Sequence, residues 1–436
     1  MNHGAAEPPP DESRSAEAGA FALATALFAA FGAYFCMYAF RKPFTAAAFA
    51  DYSVAGVAFK SLIVTAQVLG YMVAKALGVK FVSEMPHSRR AAALLLLVGL
   101  AESTLLLFGL LPRPWNAVCF FLNGLSLGMV FGLVLSFLEG RRMTEMLAAG
   151  LCASFIVADG VVKSVGTWLL ALGIPEDWMP AVAGALFLAP FGIFVGLLAR
   201  VPPPSGGDVA ARNERGPLQA AERRKFLSRY APGLIPLVIM FLLVTIARSI
   251  RADFGPEIWR DLGVTTAPST FTWSETMIAL GVTVVNGAAV LVSNNRRAFF
   301  TSLAVCGFGF VVLAASLTAL RAGVLGGYAF MVLAGFGLYI PYVAVHTTIF
   351  ERILAIVPDR GNVGFLLYVA DSIGYLAYAG IIIAKPFISS ELNFLGLMKT
   401  ASWVAAVISI LCLAASARFF AKVGRRDAPG GADSGG

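Results

Sequence analysis

Apolar segments long enough to cross a lipid bilayer recur along nearly the whole of this 436-residue chain. A membrane-spanning helix needs about 20 mostly apolar residues, and lipid offers the backbone no hydrogen-bond partners, so such segments cross it as helices. Twelve segments qualify, at 21–48, 54–79, 91–111, 114–138, 146–171, 180–200, 231–252, 271–293, 298–320, 324–350, 363–385 and 398–420. The pattern predicts an all-α integral membrane protein with twelve transmembrane helices.

The composition agrees with a chain that lies largely in lipid. Charged residues make up 13% of the chain, whereas soluble proteins carry about 25%. The net charge is +8, but the basic residues cluster in short loops between apolar segments, which indicates topology signals rather than nucleic-acid binding. The five cysteines lie within apolar segments and lack metal-ligand spacing, so we expect neither a disulfide framework nor a metal site.

One polar segment rich in proline, glycine and arginine divides the twelve helices into six and six. Its composition is typical of a flexible linker. The predicted organisation is an N-terminal tail (1–20), a first six-helix bundle (21–200), a linker (201–230), a second six-helix bundle (231–420) and a C-terminal tail (421–436).

The basic residues also predict the orientation. They follow the even-numbered helices and fill the linker, whereas the opposite loops hold few. Basic loops stay in the cytoplasm, so we expect a multi-pass protein of the cell's inner membrane with both termini cytoplasmic. The residues that carry this argument outside the linker are Lys80, Arg89, Arg90, Arg141, Arg142, Arg296, Arg297, Arg352, Arg360, Lys422, Arg425 and Arg426.

The two halves repeat weakly. Short matching motifs end at Glu139 and Glu351, and two others at Asp159 and Asp371, and both pairs lie 212 residues apart. Equal offsets predict two pseudo-symmetric halves of parallel topology, as in major facilitator carriers.

Two arginines lie within apolar runs at roughly equivalent points of the two halves, Arg41 and Arg248. A charged side chain at membrane depth costs a few kcal/mol, so it usually faces a water-filled cavity on a substrate path. With Tyr34, Tyr38 and Lys42 on the same face of the first helix, Arg41 makes a candidate anion site, because guanidinium binds carboxylate or phosphate through two hydrogen bonds. The alternative is that Arg41 and Lys42 extend to the outer lipid headgroups.

Four other ionisable residues within the predicted helices are candidates for ion pairing or coupling. Asp159 and Lys163 lie one helical turn apart and are predicted to pair, either as a structural pair or as a switch that opens when an anion binds Lys163. Asp371 has no lysine at the equivalent position, so we favour an interhelical hydrogen bond. Glu102 is a candidate proton carrier, if burial raises its pKa.

The remaining polar residues receive weaker assignments. We expect Lys75 to be a structural residue at the cytoplasmic end of the second helix and Lys60 to be a candidate for the cavity wall. Glu275 is either a second candidate proton carrier, if burial raises its pKa, or solvated near the outer end of the eighth helix. His346 is predicted to line the cavity and to contribute to substrate binding. Its spacing from Glu351 is similar to an acyltransferase motif, which we do not favour within a helix.

Three segments resemble the organophosphate:phosphate antiporters. Tyr34–Phe44 is similar to their first helix, in which an aromatic-rich sequence ends in an Arg-Lys pair, and Gly70–Arg90 is similar to their second helix and the following loop. Arg248–Pro256 is similar to a motif of their seventh helix. The resemblance implies a divergent branch of the major facilitator superfamily, in which Arg41 and Arg248 hold the phosphate.

These observations together predict a secondary transporter of a small phosphorylated or carboxylated organic anion, with antiport as one mode. The alternative is a non-transporting membrane sensor of an anionic metabolite. We expect no enzymatic activity and no cofactor, because paired catalytic residues and a nucleotide-binding glycine loop are missing from the sequence. The expected partners are the anion and the lipid bilayer but no nucleic acid, and we expect a monomer.

Overall fold

The computed structural model describes residues 12–138, 144–201, 220–357, 359, 363–388 and 393–426. Within these ranges the first half forms α1 (Glu12–Met37), α2 (Phe59–Glu84), α3 (His87–Leu110), α4 (Ala117–Leu127), α5 (Val130–Leu138), α6 (Thr144–Ala171) and α7 (Met179–Ala199). The second half forms α8 (Ala220–Asp253), α9 (Gly255–Asp261), α10 (Pro268–Val290), α11 (Asn295–Arg321), α12 (Gly327–Ala344), α13 (Phe350–Ile356), α14 (Val363–Ile388) and α15 (Phe394–Arg426).

Some predicted features lie outside the described residues. They are most of the linker, most of both tails, and the residues Glu139, Arg141, Arg142 and Arg360. The end of the predicted linker differs from the prediction, because α8 already begins at Ala220.

The chain is a multi-pass membrane protein. Ten helical spans of the described residues are long and apolar enough to cross a bilayer, and Ala24–Phe40 forms a shorter apolar helix. The predicted segment 271–293 corresponds to α10, which is not one of the ten, because it carries Glu275 and Asn286 among several hydroxyl side chains. A two-stranded hairpin, β1 (Ser53–Val54) and β2 (Val57–Ala58), joins α1 to α2.

The first predicted helix does not continue to residue 48. The α-helix ends at Met37, one 3₁₀ turn covers Tyr38–Phe40, and a second covers Pro43–Ala46. Pro43 has no N–H to donate to a carbonyl group of the preceding turn, and it opens the second 3₁₀ turn, so it favours an interruption of the helix here. The prediction that Tyr34 to Lys42 share one continuous helical face was therefore wrong.

Two further predicted helices are interrupted. Segment 114–138 forms α4 and α5, separated near Gly128, and segment 324–350 forms α12, a π-helical turn at Val345–Ile349 and then α13. Single π turns occur frequently at functional sites. The π turn carries His346.

The two halves meet along two helix pairs, α6 with α10 and α2 with α14. The 212-residue offset relates α6 to α14 and α2 to α10, so the two contacts are equivalent under the pseudo-symmetry. Within the first half, α2 packs closely on α4, where a Cβ atom added to Gly124 would lie 2.0 Å from the carbonyl oxygen of Gln67.

Candidate functional site

Seven lysine and arginine side chains are buried in the part of the chain that the structure describes. A buried charge is costly unless a partner of opposite charge accompanies it. Five of the seven form such pairs: Lys42 with Asp253, Lys60 with Glu257, Lys75 with Asp371, Lys163 with Asp159, and Arg251 with Glu275.

The other two buried cations are Arg41 and Arg248. They are only 6% and 8% exposed, yet no carboxylate of a described residue lies within 4.0 Å of either guanidinium. The Nε atom of each is buried without a hydrogen-bond partner. Each half of the protein therefore contributes one buried positive charge that no acidic side chain compensates.

Tyrosine rings contact both guanidinium groups. The Cζ atom of Arg41 lies 4.1 Å from the ring centre of Tyr71, and that of Arg248 lies 4.3 Å from the ring centre of Tyr342. Cation–π contacts of this kind contribute up to about 2 kcal/mol when desolvated. They orient the planar groups but carry no negative charge, so donors remain for an anion.

Tyr375 of α14 connects the two arginine environments. Its hydroxyl oxygen accepts a hydrogen bond of 3.3 Å from Arg248 Nη2. Its ring centre lies 5.8 Å from that of Tyr71, the ring that contacts the Arg41 guanidinium. The sequence analysis did not assign Tyr71 or Tyr375 to the site. Each lies four residues from a charged residue of its own helix, Lys75 and Asp371 respectively, and that spacing is the one signal available in the sequence.

The predicted tyrosines of the first helix lie unequally close to Arg41. Tyr38 is in contact, with 5.7 Å between its ring centre and Arg41 Cζ. Tyr34 packs edge-on against Tyr38 at 5.7 Å and against Phe131 at 5.3 Å. The structure therefore places Tyr38 beside the guanidinium and Tyr34 behind it.

Lys42 forms an ion pair between the two halves. Its Nζ atom contacts Asp253 at the end of α8, and Asp253 also accepts a hydrogen bond of 2.7 Å from Tyr378. Its charge is thus compensated within the protein. Nearby, Lys60 Nζ lies 2.6 Å from Glu257 and donates to the carbonyl oxygen of Thr45, so two ion pairs join the halves at the end of the bundle that holds the α1–α2 connection.

The predicted pair of Asp159 and Lys163 is present within α6. Both residues are buried, and Thr167 donates a hydrogen bond of 2.9 Å to the carbonyl oxygen of Lys163. Both interpretations of the pair, structural and switch, fit this geometry.

Asp371 forms an ion pair with a residue of another helix, where the sequence predicted an interhelical hydrogen bond. It pairs with Lys75 of α2, across the interface between the halves. The expectation that Lys75 lies at the end of its helix was wrong, because it is buried in the interface between the halves, within α2. The ion pair fits the structural role that was expected of it. His346 Nε2 lies 3.7 Å from the second carboxylate oxygen of Asp371, and its Nδ1 lies 2.9 Å from the carbonyl oxygen of Tyr342.

The two intramembrane glutamates differ from each other. The alternative that Glu275 is solvated was wrong: it is buried and lies 2.8 Å from Arg251, because α10 packs against α6 and α12 there. Glu102 is buried in α3 with one carboxylate oxygen lacking a hydrogen-bond partner. A Cβ atom on Gly184 would lie 2.1 Å from that oxygen, so Glu102 packs on α7.

With this geometry in place, the comparisons with known proteins can be stated. A model described as a family of unknown function (DUF5690) matches residues 43–423. The chain belongs to this family. A search of curated proteins found no match.

The fold is shared with solved membrane transporters. The crystal structure of a D-xylose-proton symporter is similar, with a TM-score of 0.61 and 14% identity, over 92% of this chain and 97% of that one. At this identity the likeness shows the fold alone, which is the all-α transmembrane bundle of the major facilitator type.

Proposed function

We propose that this protein is a secondary transporter of a small organic anion, phosphorylated or carboxylated, that works by alternating access. The observation that carries the proposal is the pair of buried arginines without acidic partners, Arg41 in one half and Arg248 in the other. The fold supports transport, and the two uncompensated charges support an anion as its substrate.

The chemistry of guanidinium supports the same conclusion. Arginine presents a planar fork of N–H donors that matches carboxylate and phosphate oxygens. An uncompensated charge at membrane depth costs a few kcal/mol, and a bound anion removes part of that cost. A phosphate monoester carries about two negative charges near neutral pH, which balances one arginine from each half.

An anion held between Arg41 and Arg248 also couples binding to movement. Because the two arginines belong to different halves, the anion attracts both and draws them together. Rocking of one bundle against the other then exposes the site on the opposite side of the membrane. Access from the end that holds Lys42 and Lys60 requires separation of their ion pairs with Asp253 and Glu257.

The finer parts of the proposal rest on the sequence. Its resemblance to the organophosphate:phosphate antiporters supports antiport against inorganic phosphate. The solved neighbour is named for a neutral sugar and a proton. A neutral sugar would leave both arginine charges uncompensated, which favours the anion. The basic loops support an orientation in the inner membrane with both termini cytoplasmic.

The test is direct. The purified protein is reconstituted into liposomes, and counterflow is measured for labelled inorganic phosphate and a panel of phosphorylated and carboxylated metabolites, with D-xylose as the neutral control. Thermal stability of the detergent-purified protein is measured with the same compounds. We expect at least one anion to raise the melting temperature and to exchange, and D-xylose to do neither.

Two results would contradict the proposal in different ways. An anion that stabilises the protein without counterflow identifies the alternative, a non-transporting sensor. Counterflow of D-xylose but of no anion places the specificity elsewhere and shows that the arginine site does not bind substrate.

A further inference from the structure

Two buried amide side chains hold the main chain at Arg41. Gln67 of α2 donates a hydrogen bond of 2.9 Å from Nε2 to the carbonyl oxygen of Arg41. Asn123 of α4 donates one of 3.0 Å from Nδ2 to the carbonyl oxygen of Phe40. The two amides also bond to each other, with 2.8 Å between Gln67 Nε2 and Asn123 Oδ1.

The helix break explains why these carbonyl groups need side-chain donors. In an α-helix each carbonyl accepts from the N–H group four residues later, but α1 ends at Met37 and the chain turns through two 3₁₀ turns. The backbone hydrogen bonds of this stretch use the carbonyl groups of Tyr38, Lys42 and Phe44. A buried carbonyl without a donor is costly, and the amides of Gln67 and Asn123 supply the donors at Phe40 and Arg41.

The surroundings of the two amides leave them little freedom. Asn123 is fully buried and Gln67 is 3% exposed. Asn123 also contacts the carbonyl oxygen of Ala101 at 3.3 Å. Gly124 allows the approach of α4 to α2, since a Cβ atom there would lie 2.0 Å from the main-chain oxygen of Gln67. The network therefore joins the turn that follows α1 to α2, α3 and α4.

One face of α2 contacts both ends of Arg41. Gln67 bonds its carbonyl group, and Tyr71, one turn later, lies under its guanidinium at 4.1 Å. Residues four apart lie on the same helical face. The main chain and the side chain of Arg41 are thus fixed by the same helix, and a shift of the main chain at Arg41 would move the guanidinium off the Tyr71 ring.

We propose that Gln67 and Asn123 are positioning residues of the anion site, which fix the broken main chain at Arg41 so that its guanidinium lies on Tyr71 and its free donors face the anion. This inference rests on the proposed function of Arg41. It applies to one half only, because Arg248 lies within the continuous helix α8 and its main chain is held by helical hydrogen bonds.

The test compares Asn123→Leu with a matched control, Asn116→Leu. Asn116 is also fully buried, also belongs to the α4 region, and also donates to a carbonyl group, that of Phe108 at 3.2 Å, but it does not contact Arg41 or its neighbours. Both variants are expected to lower the melting temperature. Loss of stability alone therefore does not show a positioning role. A positioning residue differs from a purely structural one because its replacement also weakens anion binding.

The anion readout is the concentration of inorganic phosphate that gives half-maximal stabilisation and half-maximal counterflow. We expect Asn123→Leu to raise both by roughly tenfold, the order expected when one hydrogen bond is lost, and Asn116→Leu to leave both unchanged. In an Arg41→Lys background, Asn123→Leu should add little, because the two residues then act on the same interaction. Equal half-saturation in Asn123→Leu and the wild type would overturn the proposal.

A second variant and a second readout keep the test independent of folding and of the substrate. Gln67→Met removes the donor to Arg41 while Asn123 keeps its bonds to Phe40 and Ala101, and it replaces Asn123→Leu if that variant does not fold. Modification of arginine by phenylglyoxal, mapped by mass spectrometry, needs no ligand.

Phenylglyoxal should react faster with Arg41 in either variant, while Arg248 serves as the internal control. Unchanged reactivity of Arg41 would overturn the positioning role. A wild-type protein without any response to phosphate contradicts phosphate as its substrate, and the phenylglyoxal result still decides the positioning role.

Discussion

At the scale of single residues, Arg41 and Arg248 differ from the other buried cations because no carboxylate of a described residue pairs with them. Lys42, Lys60, Lys75, Lys163 and Arg251 are each paired with a carboxylate. Arg41 and Arg248 rest on tyrosine rings instead. Aromatic rings attract the cation and orient it without neutralising it. Under the proposed function, this arrangement preorganises the two guanidinium groups for an anion, which supplies the negative charge that the described residues do not.

The first prediction concerns the geometry of these two side chains. Arg41→Lys and Arg248→Lys keep the charge but remove the planar fork. Losing one charge-assisted hydrogen bond costs roughly 1.5–3 kcal/mol, or about 10- to 150-fold in affinity. Anion affinity, measured by thermal stabilisation, should fall by that factor in each variant, and the double variant should be little worse than either single one.

The matched control for this prediction is Arg113→Lys. Arg113 is ion-paired, 2.9 Å from Asp177, and it lies in the α3–α4 connection, so its replacement should leave anion affinity unchanged. If Arg248→Lys binds and exchanges the anion as the wild type does, the two-arginine site is wrong.

The second prediction tests the structural interpretation of the Asp159–Lys163 pair. In a structural pair, Asp159→Asn alone leaves a buried, unpaired lysine, which is costly. Folded yield, measured by fluorescence-detected size-exclusion chromatography, should fall in Asp159→Asn and recover in part when Lys163→Met is added. Losses that simply add would show that the two residues do not interact in the folded protein.

Residue-scale predictions from sequence succeeded where the relevant contact is local. The pairing of Asp159 with Lys163 follows from helical spacing. The pairing of Lys75 with Asp371 joins residues 296 positions apart, and no periodicity in the chain relates them. The cluster of Tyr71 and Tyr375 forms only when α2 packs on α14, so the sequence alone does not predict it.

At the scale of the helices, apolar length predicted position but not continuity. Segments 21–48, 114–138 and 324–350 are each apolar throughout, yet each is broken in the structure. Hydropathy measures the free energy of moving side chains from water to lipid. It carries no information on which backbone hydrogen bonds form along the segment. Pro43 was the one local signal of a break. At Gly128 and at the π turn, the interruption depends on packing against neighbouring helices.

The third prediction tests the close packing of α4 on α2. Gly124→Ala adds a methyl group whose carbon would lie 2.0 Å from the Gln67 carbonyl oxygen, so the two helices must move apart. Overpacking of this kind typically costs about 1–3 kcal/mol. The melting temperature should fall, and anion affinity should fall with it, because Gln67 also holds the main chain of Arg41.

Gly99→Ala is the control, since Gly99 lies in α3 with nothing within 4 Å of the added Cβ. There the change should be neutral or stabilising, because alanine is favoured over glycine in a helix by about 1 kcal/mol. Equal effects of the two substitutions would mean that α4 and α2 have room to adjust.

At the scale of the whole molecule, the fold was predictable and the interface chemistry was not. The 212-residue offset predicted two related halves, and the α6–α10 and α2–α14 contacts follow that symmetry. The ion pairs that join the halves do not repeat, because Lys42, Lys60 and Lys75 all belong to the first half and their partners to the second. The pseudo-symmetry of the backbone therefore does not extend to the ion pairs that join the halves.

The fourth prediction concerns orientation in the membrane. The asymmetry of basic residues predicts that both termini and the linker lie in the cytoplasm. With the native cysteines removed, a cysteine in place of Ser205 should be labelled by a membrane-impermeant maleimide only after the cells are opened. Labelling from outside intact cells would invert the predicted topology.

The last prediction tests alternating access itself. Lys60 of α2 lies 2.6 Å from Glu257 of α9, and this pair joins the halves at the end that holds the α1–α2 connection. If transport requires that end to open, a covalent link between the two positions must stop it.

In a protein without native cysteines, Lys60→Cys and Glu257→Cys are joined by a short bifunctional maleimide. Counterflow should be lost in the linked double variant and retained in each single variant treated in the same way. Anion binding, measured by thermal stabilisation, should survive linkage, because Arg41 and Arg248 are untouched and the site can still be reached from the other end. Undiminished counterflow in fully linked protein would show that the halves do not separate at the Lys60–Glu257 pair during transport.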